Sequence, residues 1–170
     1  MPAAKSSEIA GAIEAAIQES GYVGQLTSPV REQPRRFVVN DASGYRVLNV
    51  FAWTLTFGGR PSLPDEYRIQ MTSVTSPLPE RSDGPTVLVG WEPTHNLFAG
   101  FDFDRHRSFS PGSPSVQIDM KSLRIAETEG LSFYRKSNDE VAVGIRPDMF
   151  VTYATNAQAL HRYGREAKLV

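Results

Sequence analysis

The sequence predicts an α+β fold: a strongly bent, mostly antiparallel sheet or a partly open β-barrel, with an N-terminal helix, one inserted helix and a C-terminal helix. Two observations carry this. Apolar residues recur with helical spacing only near the two ends and once between residues 119 and 129, and strand-like runs punctuated by Gly, Pro, Asn and Asp fill the remainder. The 170 residues are most simply one domain, folded over 6–164, with 165–170 starting a linker.

Residues 6–20 carry Ile9, Ala12, Ile13, Ala16 and Ile17 on one stripe, with Ser6 or Ser7 as cap and Gly21 as stop. Residues 21–35 lack periodicity and read as a connection or arm whose end gathers Arg31, Arg35 and Arg36. Strands follow at 36–40 and 45–56 across the turn Asp41-Ala42-Ser43-Gly44. The second is apolar on both faces and reads as central and covered. At 66–72 the alternation sends Tyr67, Ile69 and Met71 one way and Glu66, Arg68, Gln70 and Thr72 the other. Residues 73–85 read as a surface loop.

The stretch 86–118 organises the rest. Val87 to Trp91 and Leu97 to Phe103 read as a hairpin across Glu92-Pro93-Thr94-His95-Asn96, pairing Val89 with Ala99 and Val87 with Phe101. Gly90 and Gly100 then share a face open to a backbone or ligand. Arg105, His106 and Arg107 end the second strand, followed by a loop of hydroxyls, Gly and Pro from Ser108 to Ser115. Guanidinium groups, hydroxyls and backbone N–H groups on one rim suit a phosphate, although a solvated hairpin end looks the same in sequence. A short strand at 115–118 leads to Asp119, which caps a helix through Glu129 with Met120, Leu123 and Ala126 inward. A hairpin at 131–135 and 141–146 and a final helix opened by Pro147 complete the chain.

Composition excludes several classes. Cysteine is absent, which removes disulfides, thiolate metal sites and a cysteine nucleophile, and three histidines are too few for a histidine cluster. No run is long and apolar enough to span a bilayer and no signal peptide is present, so a cytoplasmic location is expected. A net charge of -1 argues against wholesale coating of nucleic acid, while fourteen arginines against four lysines leave room for a local phosphate- or guanine-reading face. No P-loop, dinucleotide fingerprint or nucleophile elbow occurs, and no cofactor is implied.

Three readings remain. The first is DNA recognition: Arg35, Arg36, Arg60, Arg68, Gln70, Arg105, His106, Arg107, Ser108, Ser113 and Ser115 are candidate contacts, and Tyr67, Trp91, Phe98, Asp102 and Asp104 candidate walls of a base pocket, with Trp53 and Phe103 weighed beside them against a plain core role. The second is a metal-dependent nuclease using Asp102, Asp104, Asp119 and Lys121. The third is a nucleotide sensor floored by Gly90 and Gly100.

The ordered set Trp53-Thr54-Leu55-Thr56, Gly59-Arg60-Pro61, Asp65-Glu66-Tyr67-Arg68-Ile69-Gln70, Phe98-Ala99-Gly100-Phe101-Asp102, Ser113-Pro114-Ser115-Val116-Gln117-Ile118 and Ile145-Arg146-Pro147-Asp148 resembles the N-terminal region of bacterial HNH-type restriction endonucleases, over residues 45–164. The resemblance implies a non-catalytic region that recognises double-stranded DNA, with modified DNA among its targets. It also implies an HNH nuclease domain downstream, since this chain has no such motif, and a role in restriction–modification and anti-phage defence. Homodimer formation is left open.

Overall fold

The structure, a computed structural model, describes residues 3–112 and 114–170. Helix α1 (Ser6–Glu19) starts one residue before the predicted serine caps: Lys5 is the cap position, and its N–H donates to Glu8 Oε1 at 3.0 Å. Its stripe of Ile9, Ile13, Ala16 and Ile17 is buried, and Gly21 turns the chain with φ of +94°. The expected structureless arm contains strand β1 (Val23–Leu26), which pairs at the sheet edge with β2 (Arg35–Asp41). Strand β3 (Gly44–Thr54) follows the tight turn at Ala42 and Ser43 and is buried on both faces along its C-terminal part.

The chain then leaves this sheet. β4 (Thr56–Phe57) and β5 (Glu66–Gln70) form a hairpin, residues 71–85 return, and β6 (Thr86–Glu92) comes back beside β3 in parallel. β7 (Leu97–Phe101) leads to a short helix α2 (Phe103–His106), then β8 (Ser115–Asp119), α3 (Met120–Arg124) and α4 (Ala126–Glu129). β9 (Leu131–Arg135) and β10 (Val141–Ile145) form the last hairpin, and a 3-10 turn at Pro147–Met149 opens α5 (Phe150–Tyr163). The helix expected over 119–129 is interrupted at Ile125, whose side chain faces solvent.

Two sheets result. The larger has order β1-β2-β3-β6-β7-β10-β9, antiparallel except between β3 and β6, and is curved without closing into a barrel. The smaller has order β4-β5-β8. One face of the large sheet packs Val50, Val87, Val89, Phe98 and Val143 against α1 and α5. The other packs Phe51, Leu88, Ala99, Phe101 and Ala142 against the small sheet and α3. The smaller sheet thus takes the place that a covering helix has in most parallel crossovers.

The β6–β7 hairpin departs from its predicted register by one residue. Leu88 lies opposite Phe101, and Val89 opposite Gly100. The reason lies at the turn. Glu92 joins the ladder opposite Leu97 because its buried carboxylate accepts the N–H groups of Thr94 and His95. A one-residue slip exchanges faces. Leu97, Ala99 and Phe101 therefore sit with Leu88 on the side of the small sheet, and Phe98 sits with Val87 and Val89 on the side of the helices. Gly90 and Gly100 consequently face opposite ways. A Cβ on Gly90 would meet Ile69 Cγ2 at 2.6 Å, and one on Gly100 would collide with the Tyr153 ring, so neither floors a pocket.

The buried polar pair on α5 is tied down. His161 Nδ1 lies 2.6 Å from the Val141 carbonyl and must donate to it, which leaves Nε2 to accept from Tyr153 Oη at 2.6 Å. Burial lowers the His161 pKa, consistent with that neutral tautomer. Residues 165–170 lie against the fold: Ala167 packs on the helix-side core and Val170 N–H donates to Asn156 Oδ1 at 2.8 Å. Among the described residues no helix is long and apolar enough to cross a membrane.

Candidate nucleic-acid interface

The predicted cationic rim is built differently from its sequence appearance. Arg105 and His106 belong to α2, whose first turn is capped by Asp102 accepting from Asp104 N–H. Each cation there has an acidic partner: Arg105 Nε is 3.7 Å from Asp102, His106 Nε2 is 2.7 Å from Glu140, and Arg107 Nη1 is 3.1 Å from Glu80. Burial alone would push the Glu140 carboxyl up, but the hydrogen bond and charge of His106, together with Lys136, outweigh it and hold the pKa at about 2. The rim is charge-compensated, and α2 seals the hairpin end. Ser108 is exposed, and Ser113 lies outside the described residues.

Three other predicted contacts are also engaged. Arg35 is 2% exposed; it donates from Nε to the Val30 carbonyl and from Nη1 to the Ala52 carbonyl, pinning the chain before β2 to β3 instead of facing solvent. Burial pulls its pKa down. Arg36 pairs with Asp83 at 2.8 Å, and Arg60 grips Glu66 through Nε and Nη2.

The predicted base-pocket residues are scattered. Phe98 is fully buried against Phe150, Trp91 is half-buried with its Nε1–H on Asn96, and Tyr67 packs edge-on against Phe57. Asp102 and Asp104 line a separate cavity of about 400 Å³ beside α5. The nuclease constellation is not assembled either. Asp119 caps α3 by accepting from Ser122 N–H and Oγ–H, Lys121 pairs with Asp65, and among the described residues no three carboxylate or imidazole groups could hold a metal ion.

The structure does bring Arg68, Gln70 and Ser115 together, with residues that sequence reasoning left out. Register aligns Thr56, Arg68 and Gln117 in one row across β4, β5 and β8, Gln70 with Ser115 in the next, and Glu66 with Asp119 in a third. Tyr67, Ile69, Val116 and Ile118 point the other way, toward the core. The outer face of the small sheet is therefore polar. Gln117 Nε2 donates to Ser115 Oγ at 2.9 Å. Arg68 has a buried Nε with no partner among the described residues. The strict alternation Ser115-Val116-Gln117-Ile118-Asp119 announces a polar face, but nothing in the sequence says that it lies beside β5.

Thr56 and Gln70 also line a groove of about 790 Å³ running between the end of β3, the 71–80 segment and the chain before β2. Its walls carry Arg31, Trp53, Thr72, Ser73 and Thr75. Gln33 spans one side, bonding both the N–H and the carbonyl of Ala52. Polar sheet face and groove are one continuous surface.

The fold is α+β, and the outer face of its small sheet carries an amide and a guanidinium. A family model described as Methylase-associated X1 matches residues 46–154, and the chain belongs to this family, a domain associated with restriction–modification systems. The match spans β3 to the first turns of α5 and so takes in both sheets' central strands and the polar face. No curated protein and no solved structure matches the chain.

Proposed function

We propose that the chain is a non-catalytic DNA-recognition domain of a restriction–modification system, reading duplex DNA with the outer face of β4-β5-β8. The observation that carries this reading is Arg68. A guanidinium whose buried Nε lacks a partner among the described residues is costly unless a ligand completes it, and here it stands among Gln70, Ser115, Gln117 and Thr56. Arg and Gln are the side chains that pair bidentately with guanine and adenine edges in the major groove. Membership of a restriction–modification family supports DNA as the ligand. Residues 6–164 act as one recognition unit in this proposal, and cleavage falls to an HNH nuclease domain elsewhere in the system.

The test is duplex binding by Arg68→Ala and by the pair Arg105→Ala with Arg107→Ala. Arg68→Ala should weaken binding by roughly 5- to 150-fold, the worth of one bidentate contact. The double variant should leave affinity unchanged, because those arginines are already compensated. The reverse pattern would move the interface to α2, and absence of duplex binding at low salt would sink DNA recognition altogether.

A further inference from the structure

The groove beside the polar sheet has an aromatic floor. Phe103, Phe51 and Trp53 form a set of near-parallel rings: Phe51 lies 5.8 Å from Phe103 with 17° between planes, and 6.4 Å from Trp53 with 9°. Phe51 is fully buried and fixes the set, whereas Trp53 is half-buried and lines the groove. Trp91 spends its indole N–H on Asn96, but the Trp53 N–H has no protein partner among the described residues.

The groove walls are equally uncommitted. Among the described residues, the side chains of Arg31, Gln70, Thr72, Ser73 and Thr75 make no hydrogen bond or ion pair, in a protein where eight other arginines each hold a carboxylate. Ser73 is held at φ of +61°, a conformation that non-glycine residues seldom adopt. The volume of about 790 Å³ falls within the range of small-ligand sites, about 300–1,000 Å³.

We infer that this groove receives a single nucleobase extruded from the DNA, its face on the Trp53 indole and its edge toward Gln70 and the hydroxyls of Thr72, Ser73 and Thr75. The inference rests on the DNA-recognition reading and adds the ligand of a second part of the surface. Stacking accepts any base, so discrimination falls to the amide and hydroxyls at the edge. Arg31 at the rim is placed to hold the phosphate of the displaced nucleotide. A base turned out of the stack exposes edges and substituents that the paired duplex hides, which suits the detection of a modified base.

The experiment uses the full chain with Trp91→Phe, so that Trp53 is the only indole emitter. It is titrated with a paired duplex, the same duplex carrying one mismatch, and a nucleoside monophosphate. Trp53 emission should fall on binding either duplex. The mismatched duplex should bind more tightly, because a mispaired base costs less to extrude. Trp53→Ala should abolish that preference and weaken binding by roughly 5- to 150-fold, the worth of one stacked base, while paired-duplex binding stays salt-sensitive. If that variant fails to fold, Trp53→Phe with Gln70→Ala replaces it and should lose discrimination between bases. Salt-sensitive duplex binding with unchanged emission and no mismatch preference would overturn the base site and leave DNA recognition standing. Quenching by the monophosphate without binding of either duplex would sink DNA recognition and keep a site for a free base. No response to any probe would sink both.

Discussion

At the scale of residues, the arrangement of charge decides what each side chain is free to do. Glu140 is buried between His106 and Lys136, and its carboxyl sits at about 2 against an ordinary 4.5. Because the folded value lies below the unfolded one, its stabilising contribution is complete above pH 4.5 and is lost as pH falls toward 2. Glu140→Gln should therefore lower stability by about 3 kcal/mol at pH 7, since it removes the buried carboxylate that pairs with Lys136 and hydrogen-bonds His106. The gap between parent and variant should narrow by roughly half or more in urea titrations carried from pH 7 to pH 3; a constant gap would show that charge is not what Glu140 contributes. Arg68 is the opposite case. No hydrogen-bond partner completes its buried Nε among the described residues, so Arg68→Ala should leave the unfolding midpoint at or above that of the parent while weakening DNA binding.

At the scale of elements, the two central glycines are packing devices. Gly100 lets the Tyr153 ring lie on β7, and Tyr153 in turn donates to His161 on the same helix. Gly100→Ala should cost about 1–3 kcal/mol by displacing that ring, and it should loosen α5, seen as faster amide exchange in Phe150–Tyr163. Much at this scale was legible in the sequence. The stripe of Ile9, Ile13 and Ile17, the Asp119 cap, the two-faced apolar run of β3 and the last hairpin all follow from period and turn chemistry. The register of β6 and β7 did not, because both faces are buried and a slip of one residue leaves an equally apolar pattern. The small sheet was hidden for a different reason: β5 and β8 are each readable, but 44 residues separate Gln70 from Ser115, and only tertiary packing joins them. The candidate interface followed suit. Arg68 and Gln70 were visible as a polar strand face, while the compensation of Arg36, Arg60, Arg105 and Arg107 depends on partners that sequence spacing does not reveal.

At the scale of the whole molecule, near-neutral charge and widespread pairing of arginines set the character of any contact with DNA. A surface whose phosphate contact is Arg31, with Arg68 given to base edges, should displace few counterions. The slope of log affinity against log salt should be close to −1, about −0.9 for each phosphate neutralised, and Arg31→Ala should remove most of it. A slope several-fold steeper would mean that the compensated arginines break their pairs on binding. The parallel seam between β3 and β6 carries one more implication. That seam is closed by its own hydrogen bonds, and the return segment 71–85 touches the interior chiefly through Met71 and Leu78. The cleft-lining positions Thr72, Ser73 and Thr75 make no side-chain hydrogen bond or ion pair among the described residues, so evolution can recolour that wall without disturbing the frame, which is held further along the segment by Glu80, Asp83 and Gly84. On the proposed DNA-recognition reading, new specificities should arise most readily there.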